Sequence, residues 1–202
     1  MPTQTYFNLP MDKQERIMDA VIHEMGINTY ENLNVANIIR QSKIPRGSFY
    51  QYFIDKDDLF NYFYQVMVQK KIVFMGDLFL GNLDLPFLER FEKLYASGIK
   101  FGTQNSDIFK ASQKIFTSDH FMKSKMMKQG NEQGIAMFTA WIKHDQELGR
   151  IKDSIDAELL AALLLEFSSK VTFEEYFKDE VDLLKIETKI HLIVEILKKG
   201  IE

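Results

Sequence analysis

Between Asn34 and Lys56 the chain gathers side chains that bond to phosphates and to the edges of bases. Arg46, Ser48, Tyr50, Gln51 and Tyr52 follow one another closely, with Asn34 upstream and Lys56 downstream. Arginine forks onto guanine, glutamine pairs with adenine, and hydroxyl and ammonium groups reach phosphate oxygens. Gly47 leaves room for a close backbone approach at the start of this run. The local charge agrees. No acidic residue lies between Glu31 and Asp55, while Arg40, Lys43 and Arg46 do, in a chain whose net charge is −4. A basic window in an acidic chain fits a small DNA-reading element on a larger body. By itself the window also fits an ordinary solvated face, so the weight falls on the elements around it.

Those elements are two short helices about three residues apart, which is the helix-turn-helix spacing over 34–53. Asn34 is a natural cap for the first, and Pro45 suits the first turn of the second. Val35, Ile38, Ile39, Ile44, Phe49 and Phe53 supply the faces that lock the pair together, leaving Arg46, Ser48, Tyr50, Gln51 and Tyr52 exposed. A preceding helix is expected over 11–25, with Ile17, Met18, Val21, Ile22 and Met25 on one stripe and Gly26 as its stop. Asp55 caps a long helix over 56–80, ended by Gly81, Asn82 and Pro86. Further helices are expected over 87–102, 107–116, 154–176 and 181–199, and the segment 119–148 is one helix or two, depending on Gly130 and Gly134. Apolar residues recur at intervals of three and four throughout, which makes the fold all-α.

The run Gly47-Ser48-Phe49-Tyr50-Gln51-Tyr52-Phe53, followed by Asp55-Lys56-Asp57-Asp58-Leu59, resembles the signature of the TetR/AcrR (tetracycline-repressor-like) family. The resemblance covers roughly the first 60 residues. It implies an N-terminal three-helix DNA-binding domain with a helix-turn-helix, residues 1–55, and a larger helical ligand-binding and dimerisation domain, residues 56–202. It also implies a DNA-binding transcriptional regulator, a repressor released by a small, largely apolar ligand. Carried over by position, Arg46, Gly47, Ser48, Tyr50, Gln51 and Tyr52 are recognition-helix contacts, Asn34 a polar cap that touches phosphate, and Lys56 a phosphate contact. Each has an ordinary alternative: either tyrosine can be a packing residue with a wet hydroxyl, and Lys56 a solvated charge. The chain departs from the family at Ile39, where a small residue is usual, at Lys43, where the turn has glycine, and at Pro45, where serine is usual.

In the C-terminal part, Tyr95, Phe101, Phe116, Phe138, Trp141 and Phe167 are the expected ligand-binding residues, since an aromatic and methionine-rich interior can line an adaptable pocket. Taken one at a time, the same residues read more readily as plain core. Leu163, Phe167, Ile186, Ile190, Ile193 and Leu197 are expected at a homodimer interface built from the last two helices. The expected partners are double-stranded operator DNA, an unidentified small-molecule effector and a second copy of the chain. The alternatives are a helical protein-interaction module, or a constitutive DNA binder that senses nothing.

Other classes are poorly served. The four histidines lack ligand-type spacing, there is no cysteine, and HExxH, GxSxG, P-loop and GxGxxG patterns are missing. No enzyme, metal or cofactor is therefore expected. No apolar run is long enough to span a bilayer and no secretory signal is seen, so a cytoplasmic location is expected.

Overall fold

Caps and stops read from the residues become helix ends in the computed structural model, which describes residues 1–80 and 84–201. The helices are α1 (Gln4–Phe7), α2 (Met11–Ile27), α3 (Val35–Ser42), α4 (Arg46–Tyr52), α5 (Lys56–Met75), α6 (Asp77–Leu80), α7 (Phe87–Gln104), α8 (Ser106–Phe116), α9 (Asp119–Met122), α10 (Lys125–Glu147), α11 (Ala157–Tyr176) and α12 (Leu183–Ile201). Among the described residues there is no strand, and the fold is all-α.

Several elements differ from the expectation: α1 has no counterpart in it, α2 runs through Gly26, its expected stop, to Ile27, and α12 is shifted to Leu183–Ile201. The helix expected over 56–80 is broken at Gly76, whose φ of 51° is left-handed, and the chain restarts as α6. Its expected stop signals Gly81 and Asn82 lie outside the described residues. The segment 119–148 is two helices, and the break is not at a glycine: it falls at Ser124, whose side chain accepts the Met127 N–H at 3.1 Å and opens α10. Gly130 and Gly134 lie inside α10. Gly134 is there for closeness, since a Cβ would stand 3.2 Å from Leu165 Cδ2 of α11. Finally, α11 begins at Ala157 rather than at 154, because Asp156 Oδ1 accepts the N–H groups of Glu158 and Leu159, each at 3.0 Å.

Packing divides the chain into two compact units. The first holds Met1–Phe74 and Gly102–His120, the second Met75–Phe101 and Phe121–Glu202. In the first, α2 packs on both α3 and α8, and α1 packs on α4. Its buried residues include Ile17, Val21 and Met25 of α2, Ile38, Phe49, Phe53, Leu59, Phe63, and Ile108, Ala111 and Ile115 of α8. In the second, α10 packs on α11 and α11 on α12. Phe87, Phe91, Phe138, Ile142, Leu160, Leu164, Ile186, Ile190 and Val194 form its core. The division is one of packing.

Candidate nucleic-acid interface

The site is built from α3, its turn and α4. Glu24 of α2 is buried, and its Oε1 accepts the Asn34 N–H at 3.1 Å and the Asn28 amide at 2.9 Å, which pins the chain entering α3. Asn34 then caps α3 as expected, its side chain accepting the Ala36 N–H at 3.0 Å. The turn is made by Lys43, the only described non-glycine residue with positive φ, at φ 52° and ψ 40°. Glycine would take that conformation at no steric cost; lysine is held in it by its surroundings. Buried Ser42 donates to the Ile38 carbonyl at 2.6 Å, and Arg16 Nε donates to the Ser42 carbonyl at 3.0 Å, fastening the end of α3 to α2.

Pro45 then starts α4, whose back face is Phe49, Tyr52 and Phe53, all buried. Their spacing of three and four puts them on one stripe. Arg46, Gly47 and Gln51 are exposed, Tyr50 is 61% exposed, and Ser48 is half-buried. Asn34, Arg46 and Tyr50 line one shallow cleft of about 510 Å³ between the start of α3 and α4. An arginine fork, a phenol and a capping amide facing the same open space form a surface for hydrogen bonds to an extended polyanion.

One expected contact is corrected. Tyr52 is 4% exposed and belongs to the back face. Its ring meets Tyr6 of α1 edge-on at 6.3 Å, and Lys13 Nζ stands 5.7 Å from its centroid. The cause is α1, a short helix that carries no periodic signal and that covers what would otherwise be an open tyrosine. Lys56 is half-buried; its Nζ donates to the Tyr30 carbonyl at 3.0 Å and lies 4.2 Å from the Tyr30 ring centroid. Asp55 caps α5 as expected, accepting the Asp58 N–H at 2.7 Å.

Of the expected ligand residues, Tyr95, Phe101, Phe138, Trp141 and Phe167 lie in the second unit, whereas Phe116 lies in α8 of the first. Phe138 meets Trp141 at 5.7 Å, and Phe91 bridges Phe138 to Tyr95 at 5.6 and 4.9 Å. The apolar groove described on the second unit, about 710 Å³ between α10 and α11, is lined by others, among them Met127, Ile135, Leu165 and Phe173. Sequence reasoning missed Arg90, which is 1% exposed and stacks 3.9 Å from the centroid of the Trp141 ring. Its only signal in the sequence is a charge at a core position of α7.

The expected dimer residues are also sorted. Ile186 and Ile190 are buried within the chain's own core, so they are not surface residues of a dimer. Phe167, Ile193 and Leu197 pack partly against that core, and Leu163 is 55% exposed. The exposed apolar stripe is Leu159 and Leu163 on α11 with Leu184, Leu192 and Ile196 on α12. Both faces of α12 are apolar, so the residues alone do not say which turns inward. Among the described residues no cluster of three or more histidine or acidic side chains could hold a metal, and no helix is long and apolar enough to cross a membrane.

A capped helix, a tight left-handed turn and a second helix with a buried back and a polar front define a helix-turn-helix DNA-binding protein. Residues 17–63 match the family model described as "Bacterial regulatory proteins, tetR family". Over that segment, which holds the helix-turn-helix, the chain is similar to this family of regulators. Solved structures carry the same fold over most or all of the chain. A TetR family transcriptional regulator from Chloroflexus aurantiacus is 24% identical, with a TM-score of 0.70 over 100% of this chain and 98% of that one. A TetR transcription regulator from Haloarcula marismortui is 20% identical, with a TM-score of 0.72 over 95% and 99%. The transcriptional regulator FadR from Bacillus subtilis, in complex with stearoyl-CoA, is 15% identical, with a TM-score of 0.73 over 93% and 99%. Among curated proteins none matches the chain in sequence.

Proposed function

We propose that this chain is a transcriptional repressor that binds a partly palindromic operator as a homodimer and is released by a small, largely apolar effector. The observation that carries the reading is the two-sidedness of α4: Phe49, Tyr52 and Phe53 are buried behind Arg46, Tyr50 and Gln51, which are exposed. Residues 1–55 hold the DNA-contacting set of Asn34, Arg46, Gly47, Ser48, Tyr50 and Gln51, with Lys56 just beyond; residues 56–202 hold the effector and dimer functions. A lone helix-turn-helix binds weakly, and two copies at a fixed spacing read two half-sites. The exposed leucines and isoleucine of α11 and α12 are the natural surface for that pairing, since a large apolar stripe on a soluble helix marks an interface. The aromatic interior around Phe138 and Trp141 supports an apolar effector, as does the fold shared with a regulator solved with stearoyl-CoA. The reading gives the chain no catalytic role.

The effector acts by favouring an arrangement of the dimer that does not match the half-site spacing. A preference of about 3–5 kcal/mol makes a usable switch. The decisive experiment selects duplexes from a random pool with the full chain and measures affinity against salt. A palindromic consensus with steeply falling affinity as salt rises supports the reading, because neutralised phosphates release counterions. Selection of no sequence, or binding indifferent to salt, would sink it. A chain that binds a consensus but is released by no apolar compound is a constitutive binder.

A further inference from the structure

Within the core of the second unit, Arg90 is a buried cation that its neighbours do not complete. Its Nε donates to the Leu78 carbonyl of α6 at 2.9 Å, and its guanidinium lies on Trp141. Its Nη2 is buried and has no hydrogen-bond partner among the described residues. A buried charged donor left without an acceptor costs more than a neutral one, so such a group is kept only where something answers it. The nearby carboxylate is already engaged. Asp145, 3% exposed, accepts the Phe87 N–H at 2.6 Å through Oδ2 and Arg150 Nη1 at 3.2 Å through Oδ1. Burial works against the charge on Arg90, and Asp145 works for it. Asp145 thus serves the half-buried Arg150 and the Phe87 N–H, and leaves the Arg90 Nη2 without an acceptor in a core that includes Phe87, Phe91 and Phe138.

We infer that Arg90 is the anchor for an anionic effector, a monocarboxylic acid with an apolar body, whose carboxylate accepts from the free Nη2 while its body lies against Phe138 and Trp141. This rests on the reading of the chain as an effector-released regulator and specifies the effector's chemical class. One free nitrogen offers a single charged donor, which a monoanionic carboxylate answers and a phosphate dianion would leave undercompensated. The aromatic surroundings exclude a small hydrophilic acid, which would gain nothing from them. The anchor also has a route outward. While Nη2 takes the carboxylate, Nε holds the Leu78 carbonyl, and Leu78 sits in α6, joined to α5 through Gly76. A ligand on Arg90 therefore acts on a side chain already bonded to the segment that continues from the helix following α4.

The test uses the full chain and its only tryptophan, Trp141, as the fluorescent reporter. Dodecanoate, dodecanol and dodecylamine share one chain length and differ in the head group. The expected result is saturable quenching by dodecanoate at concentrations at least about tenfold below those of dodecanol, with dodecylamine weakest. Arg90→Met should equalise the acid and the alcohol, and Arg90→Lys should restore part of the preference. Equal binding of acid and alcohol by the parent overturns the inference whether or not the variants fold, and so does binding of none of the three. Release of operator DNA is read separately: acid-selective binding that leaves operator affinity unchanged upholds the Arg90 site and refutes the effector-released repressor.

Discussion

The imidazole of His120 lies flat on the ring of Tyr30, with centroids 3.7 Å apart and planes 12° from parallel. The stack closes a network on the turn before α3. Glu31 accepts from the Ser118 hydroxyl at 2.8 Å and from the His120 N–H at 3.0 Å, while Tyr30 also bonds Asp57 through its hydroxyl and supports Lys56. Residues 118–120 are thereby fastened to the loop that runs into the Asn34 cap. The next residue, Phe121, belongs to the second unit, so the chain leaves the DNA-reading unit from a fixed point.

That network makes part of the stability depend on acid. Partial burial works to raise the Glu31 pKa, but the His120 N–H, the Thr29 hydroxyl, its own backbone N–H and the Ser118 hydroxyl outweigh it and hold the carboxyl at about 2, against an ordinary 4.5. A carboxyl depressed in the folded state contributes stability above its unfolded pKa and loses it as pH falls through the folded one. Melting temperatures measured from pH 7 down to 2 should show the parent losing, between about 4.5 and 2, a contribution that Glu31→Gln lacks throughout. Parallel curves for the two proteins would mean the bonds to Ser118 and His120 contribute nothing.

On α4, Arg46→Ala and Gln51→Ala should each cost about 1–3 kcal/mol of operator affinity for every base that is no longer read, and relax sequence preference at that position. Tyr52→Phe should leave affinity unchanged, because that ring is behind the helix. Tyr52→Ala should instead lower stability by about 3 kcal/mol, the range for emptying a buried aromatic site. Titration of a selected duplex at fixed salt, beside thermal melting, separates the two effects. A Tyr52→Phe protein with weakened operator binding would return that hydroxyl to the DNA face.

Lys43→Gly should stabilise the protein by about 0.5–1 kcal/mol, since the left-handed penalty of a side chain exceeds the extra unfolded-state freedom of glycine. Denaturant unfolding checks it. A loss of stability would show that the lysine side chain holds the turn through contacts of its own.

The two faces of α12 should respond differently to charge. Leu192→Asp and Ile196→Asp alter exposed residues and should give a folded monomer with weakened operator binding. Ile190→Asp puts a charge into the chain's own core, costing several kcal/mol, and should unfold the second unit. Sedimentation velocity with near-ultraviolet circular dichroism distinguishes the outcomes. Folded Leu192→Asp and Ile196→Asp proteins that remain dimeric would move the interface off this stripe.

What the residues determined by themselves is local. The Asn34 cap, the start at Pro45 and the Asp55 cap act on backbone groups two or three positions away, so the helix-turn-helix and its exposed Arg46, Tyr50 and Gln51 were legible without the fold. The tertiary structure decided matters that turn on distant partners. Tyr52 is buried because Tyr6 covers it, and the segment 106–116 joins the first unit because it packs on α2. Ile186 and Ile190 face inward while Leu192 and Ile196 face out, although all four are equally apolar. Hydrophobicity favours burial but is non-directional, so a helix apolar on both sides has no inside until a neighbour supplies one. Arg90 is the reverse case: its charge argued for the surface, and only the packing of α7 against Trp141 and the Leu78 carbonyl put it in the core.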